Sequence, residues 1–177
     1  MLPRDPLARF FALVVALYAA WYLLYELVIH PLGMVDRAVI DNLAWLAGGL
    51  LRILGYELLP DPAFDTNRYI GVQGGSHLWI GDACNGLGLF AVFAIFMFAF
   101  PGPRRHKPWF TLLGIASIHL INALRIAALC IITTIDYEWL TFNHDYTFYV
   151  VVYGWVIGLW VWWLVRFARG NKTAVAA

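Results

Sequence analysis

Three residues of this chain have the side-chain types that acyl chemistry needs, and each sits in or beside an apolar run. Cys84 lies in Gly81-Asp82-Ala83-Cys84-Asn85-Gly86-Leu87, where one run begins. Arg125 is inside the run Trp109 to Ile135, and His144 stands just before the run Tyr146 to Trp163. A thiolate attacks a carbonyl carbon, a guanidinium holds the oxyanion that forms, and an imidazole carries the proton between steps. Placed this way, the three read as one thiol site at a membrane surface.

Each residue also has a plainer reading. Cysteine is commonly a small buried hydrophobe. An arginine in an apolar segment can snorkel or pair with a carboxylate. His144 taken alone is an ordinary loop histidine. Position favours chemistry. Cys84 is expected in the first turn of a helix, where unpaired N–H groups and the helix dipole favour a thiolate. Arg125 costs at least about 2.5 kcal/mol to place in an apolar helix, a cost that a function explains. Asn85, Gly86 and Gly88 flank the thiol, the glycines leaving room for a substrate backbone. Asn122, three residues before Arg125, shares its helix face and is expected to orient it or the substrate. Asn143 or Asp145 can orient His144. Cys130, between Leu129 and Ile131, reads as core, and His119 as a packing residue. His77 is a weaker substitute for His144. The histidines lack a zinc-binding spacing such as His-Glu-x-x-His, so neither metal nor cofactor is expected.

The elements that position these residues are membrane spans. Of 177 residues, 62% are apolar and 13% charged, with 9 Trp, 9 Tyr and 12 Phe. Few soluble domains of this length are so apolar. A helix needs about 20 apolar residues to cross the hydrocarbon. Firm spans are expected at residues 10–29, 82–101, 109–133 and 146–166. The second reaches that length only if its helix starts near Asp82. Phe10 to Ile29 is too long for the apolar part of a signal peptide, and no small-residue cleavage site follows it. Residues 35–59 mix Asp36, Arg37, Asp41, Arg52 and Glu57 with apolar side chains. They form either an interfacial helix or a fifth span, and Gly48-Gly49 would allow close helix packing in the second case. Residues 67–82 read as a β-hairpin turning at Gly74-Gly75. Asp82 is placed to cap the helix that follows.

Charge orients the bundle. Arg104, Arg105 and Lys107 share one loop, and Arg166, Arg169 and Lys172 follow the last span. Both clusters are expected in the cytoplasm. Two crossings separate them, so the loop 134–145 and the hairpin lie outside. The N-terminus lies inside if residues 35–59 rest on the surface, and outside if they span. Cys84 lies 17 residues before Pro101 and Arg125 lies 17 after Pro108. At 1.5 Å per residue each stands roughly 25 Å from the cytoplasmic end of its helix, hence at one depth. The net charge of +1 and the absence of a basic patch with interleaved aromatics exclude a nucleic-acid partner. Two cysteines do not make a disulfide framework, and outside the cytoplasm a single Cys84–Cys130 pairing stays open.

These motifs resemble the exosortase/archaeosortase family in its short, single-domain form. The resemblance rests on Ala83-Cys84-Asn85-Gly86-Leu87 at a helix start, Asn122-Ala123-Leu124-Arg125-Ile126 in a later span, and His144 ahead of the last span. It runs from about Ile70 to Phe167. It implies a prokaryotic cytoplasmic-membrane enzyme with Cys84 as nucleophile and Arg125 and His144 completing an extracytoplasmic site. Its partners would be exported proteins whose C-terminal sorting signals join a short motif, a hydrophobic helix and a basic tail. The new C-terminus would pass to water or to a lipid or polysaccharide acceptor at the cell surface. Many members have serine where this chain has Asn85, and are longer, with more spans. The expectation is therefore an all-α polytopic membrane protein, one integral domain over residues 1–177, acting as a cysteine transpeptidase or protease. Two rivals stand beside it: a non-catalytic assembly or targeting protein that binds hydrophobic tails, and a small transporter.

Overall fold

The computed structural model describes residues 5–62, 68–135 and 148–168. The first helix, α1 (Pro6–Leu24), starts where the Asp5 carboxylate accepts the Leu7 N–H at 3.2 Å, with proline in the first turn. Both are N-terminal signals of a helix. The helix continues through a π-helical turn, Tyr25–Ile29, and a last turn, His30–Leu32. Gly33 stops it in the left-handed conformation (φ 64°), which glycine adopts without steric cost. The next helix, α2 (Met34–Ile53), begins at once. Its buried residues Asp36, Ile40, Leu43, Ala47 and Leu51 recur every three or four positions, so they form one face.

A short hairpin follows. Its strands, β1 (Tyr69–Ile70) and β2 (Leu78–Trp79), are antiparallel, with Tyr69 opposite Trp79 and Ile70 opposite Leu78. Leu58 bridges to Val72 and lengthens the pairing on the β1 side. The chain then makes a 3-10 turn, Asp82–Cys84, before α3 (Leu87–Ala99). A second 3-10 turn, Arg104–His106, leads into α4 (Lys107–Ile132). The last helix, α5 (Phe148–Trp163), ends in a π-helical turn, Leu164–Ala168.

Two cores hold the bundle. In one, the α2 face packs on Ala123, Ile126, Ala127 and Cys130 of α4, with Ile70, Val72 and Ile80 of the hairpin region between them. In the other, Phe93 and Met97 of α3 meet Phe110 and Ile118 of α4 and Val156, Leu159 and Trp163 of α5. A methyl group at Gly114 would overlap the Phe93 ring, so this glycine is what lets α3 lie close to α4. Helix α1 packs on α3 but buries little of itself; Leu7, Val15 and Leu27 all face outward.

Among the described residues, three helices are long and apolar enough to cross a membrane: Leu7–Leu32, Arg104–Ile132 and Val150–Phe167. The expected span 82–101 contains a helix of only 13 residues, about 20 Å, short of the roughly 30 Å hydrocarbon core. The reason is local. Gly86 takes φ 86° and breaks the helix between Cys84 and Leu87, so the helix starts at Leu87 and not near Asp82. Asp82 does not cap it; its carboxylate pairs with Arg68 at 2.8 Å. Residues 35–59 resolve into α2 and the bridge to the hairpin. Gly48 faces Leu58 and Ile70, whereas a methyl group at Gly49 would meet nothing among the described residues, so there the pair packs against the hairpin region and not against another helix.

Gly114→Val should lower stability by about 1–3 kcal/mol, the usual penalty for overpacking a filled core. Adding Phe93→Leu should recover part of it. Unfolding curves of the detergent-solubilised protein measure both.

Candidate active site

The site grows from a break in the helix pattern. The turn Asp82–Cys84 closes with the Cys84 N–H donating to the Gly81 carbonyl at 2.9 Å. The Asn85 N–H donates to the Asp82 carbonyl at 3.3 Å. Asn85 is 2% exposed, and its side chain works in two directions. Its Oδ1 accepts the Leu87 N–H at 2.8 Å, which caps the start of α3. Its Nδ2 donates to Asp36 Oδ1 of α2 at 2.5 Å. Gly86 then turns the chain, and a methyl group there would come within 3.4 Å of the Asn122 amide.

From α4, Asn122 Nδ2 donates to the Cys84 carbonyl at 2.7 Å. Arg125 lies one turn further along the same helix. A cleft of about 480 Å³ opens beside them. Cys84, Asn85, Gly86, Asn122 and Arg125 all line it. Tyr18 and Trp21 of α1 and Tyr25 of the π-helical turn that extends it form one wall, and Val152 and Tyr153 of α5 belong to another. The structure thus brings five sequence-predicted residues, from two distant stretches of chain, around one space. Asn143, His144 and Asp145 lie outside the described residues.

Asn122 has a more specific place than the expected one. It holds the backbone of the cysteine. Cys84 sits two residues before the helix cap at Gly86, not in the first helical turn, so the expected setting at the start of the helix dipole shifts to Leu87. Cys130 is fully buried, with its Sγ 3.9 Å from the Ile70 carbonyl. Neither cysteine is in a disulfide. His119 Nε2 is 2.7 Å from Asn42 Oδ1 and joins α4 to α2, while His77 Nε2 is 3.0 Å from the Pro60 carbonyl. Among the described residues, no group of three or more His, Cys, Asp or Glu side chains is placed to hold a metal ion.

The sequence reading missed a polar cluster behind the cysteine turn. Asp36, 1% exposed, accepts from the Tyr25 hydroxyl at 2.9 Å as well as from Asn85. His30 Nδ1 lies 3.9 Å from Asp36 Oδ2 and 4.0 Å from Asp82 Oδ2, and Tyr25 stacks on His30. A signal was present. Asp36 occupies a position of the apolar face shared with Ile40, Leu43 and Ala47, where a carboxylate needs a buried partner.

The family model described as transmembrane exosortase (Exosortase_EpsH) matches residues 6–167, from the start of α1 to the end of the last helix. This chain belongs to the transmembrane exosortase family. No curated protein and no solved structure matches it. Every element that forms the cleft of this exosortase lies inside the matched stretch. Family and apolar helices together make it a multi-pass membrane protein.

The two thiols of the exosortase have opposite settings, one on an open cleft and one sealed in a core. A small alkylating reagent such as iodoacetamide should modify Cys84 in the folded protein and reach Cys130 only after denaturation. Peptide mass analysis of the two states measures this. Equal labelling of both in the folded state would contradict the packing of α2 on α4.

Proposed function

We propose that the chain is a membrane-embedded cysteine transpeptidase or protease that cleaves C-terminal sorting signals of exported proteins. One observation carries the reading. The cysteine turn is tied by its carbonyl to Asn122, one helical turn from Arg125, and both functional side chains line the same cleft. A nucleophile and an oxyanion-stabilising cation in one concave, partly apolar space is the arrangement that acyl transfer needs.

In this reading the Cys84 thiol proton passes to His144, and the thiolate attacks the scissile carbonyl carbon. The C=O electron pair moves to oxygen, and the Arg125 guanidinium holds the resulting oxyanion. His144, supplied from the segment ahead of α5, protonates the leaving amine as the C–N bond breaks. The product is a thioester on Cys84 and a released tail. His144 then takes a proton from water, or from an amine or hydroxyl of a lipid or polysaccharide acceptor, which attacks the thioester and regenerates the thiol. Asn143 or Asp145 orients the imidazole. The aromatic wall of α1 and the lining residues of α5 flank the cleft where an apolar substrate helix would approach laterally.

Charge supports an extracytoplasmic site in a prokaryotic cytoplasmic membrane. Arg104, Arg105 and Lys107 gather at the start of α4. Arg125 lies about 27 Å along α4 from Lys107, close to the opposite membrane face. Lys and Arg in short loops mark the cytoplasmic side.

Cys84→Ala should fold, bind a tail-bearing substrate and process none. Cys84→Ser should be nearly as inactive, because a hydroxyl ionises far less readily than a thiol. Arg125→Lys should lose about 10²–10³-fold, since an ammonium does not reproduce the planar donor fork. His144→Ala should lose about 10²–10⁴-fold without losing substrate association. Time-resolved mass analysis of wild type should detect a hydroxylamine-labile adduct on Cys84. Full processing by folded Cys84→Ala would overturn the mechanism, and tail binding with no adduct in wild type would favour a non-catalytic tail-binding role.

A further inference from the structure

The reading above leaves the buried carboxylate of Asp36 without a task. It comes from α2, a helix that contributes nothing to the wall of the cleft. Yet it is 1% exposed and accepts two hydrogen bonds, one from Tyr25 of the π-helical turn that extends α1 and one from Asn85, the residue after the cysteine. Placing a carboxylate in an apolar bundle is costly, and the two donors on Oδ1 offset only part of that cost, because Oδ2 has no hydrogen-bond partner among the described residues. Its effect on Asn85 is directional. An amide has a donor end and an acceptor end. With Nδ2 held by Asp36, Oδ1 must point to the Leu87 N–H, and it does so at 2.8 Å. The orientation of one amide therefore decides whether the helix starts at Leu87 and where the preceding turn, with Cys84, stands.

We propose that Asp36 is a positioning residue for the reaction at Cys84. Through Asn85 it holds the cysteine turn in register with α3, while Asn122 holds the same turn from α4. Tyr25 lines the cleft with its hydroxyl bonded to the same carboxylate, so the α1 wall and the nucleophile are referenced to a single oxygen, Asp36 Oδ1. This inference rests on the proposed thioester chemistry for its kinetic form. The geometry it describes stands apart from that chemistry.

The test uses the full chain in lipid nanodiscs and four variants. Asp36→Leu removes the acceptor at similar volume. Asp36→Asn keeps an acceptor oxygen. Asn85→Asp sets two carboxylates against each other. The double variant Asp36→Asn/Asn85→Asp reverses the hydrogen bond and still leaves an oxygen for the Leu87 N–H. The probe is a soluble reporter fused to the C-terminal segment of an exported protein from the same genome, with an apolar helix of about 20 residues and a basic end. Single-turnover acylation of Cys84, per folded molecule, is measured beside equilibrium binding of the reporter. Asp36→Leu and Asn85→Asp should slow acylation by about 10²-fold, the usual effect of a misplacement near 1 Å, with binding unchanged. Asp36→Asn should lose far less, and the double variant should recover at least about tenfold over Asn85→Asp, because the two side chains are coupled. Acylation rates that match wild type per folded molecule, whatever the loss of thermal stability, would show a structural tether only and overturn the proposal. A loss confined to reporter binding would do the same. If no reporter acylates Cys84 of wild type, the proposed reaction fails, and the inference is then decided by iodoacetamide. Asp36→Leu should change the Cys84 alkylation rate at least about threefold while Asp36→Asn preserves it. Equal rates in all three proteins would overturn it.

Discussion

A backbone that leaves the helical path inside an apolar bundle must find partners for its N–H and C=O groups without water. The cysteine turn is such a backbone, and its bonds can be followed group by group. The Ile80 N–H donates to the Arg68 carbonyl, the Cys84 N–H to Gly81, and the Asn85 N–H to Asp82. The Cys84 carbonyl takes the Asn122 amide, and the Leu87 N–H takes Asn85 Oδ1. Two asparagines thus do for this turn what solvent does for a surface loop. Neither would be needed if the helix ran on unbroken, and without the break Cys84 would sit within a continuous span. The polar residues of the site and the irregular geometry of the site are therefore one feature.

This demand shapes the division of labour among the helices. Helices α2 and α4 and the hairpin form a close-packed block around Ile40, Leu43, Ala127 and Cys130. The hairpin is also anchored at the far end of α4, where Thr133 Oγ1 accepts the Ser76 N–H at 3.1 Å. That block carries Asp36, which bonds Asn85, Asn122, which bonds the Cys84 carbonyl, and Arg125, which lines the cleft beside them. Helix α1, apolar on its outer side, closes the cleft with three aromatic rings and makes few buried contacts of its own. A close-packed block thus stands behind Cys84 and a thinly packed wall in front of it, the arrangement that the proposed lateral approach of a substrate helix would require.

Much of this was legible in the residues. The spans of α1, α4 and α5 follow from uninterrupted apolar length, because lipid-facing and protein-facing positions are equally apolar. The hairpin followed from Gly74-Gly75 between β-branched and aromatic runs, and the structure turns there with Gly74 at φ 82°. Cys84, Asn122 and Arg125 were picked out as polar residues in apolar context, and they do line one cleft. The start of α3 differs from the expected one because the length of a full span demands a start near Asp82, while a positive φ leaves its mark in one glycine after one asparagine. In the sequence, Asp36 is one of the charges of a segment that reads either as an interfacial helix or as a fifth span. Its role depends on Tyr25 and Asn85, which are distant in the chain, and no local pattern names such partners.

The length of α3 connects these levels. Its C-terminal end is fixed to α4 by Lys107, whose Nζ donates to the Phe98 and Phe100 carbonyls at 3.0 and 2.7 Å. Its N-terminal end is fixed by Asn122 on the Cys84 carbonyl. From Phe100 back to Leu87 the chain rises about 20 Å, and from Lys107 up to Asn122 about 22 Å, at 1.5 Å per residue. Two antiparallel helices of matched length, tied at both ends, leave the cysteine turn one level at which its carbonyl meets an amide. Gly114 lets the pair approach between the ties, where Phe93 fills the space a side chain would take. A residue inserted in α3 would lift the turn by about 1.5 Å and rotate it by about 100°, breaking its register with Asn122 and Arg125 together. The short helix, which by length alone looks like an incomplete span, is thus the spacer that sets the level of Cys84 against α4.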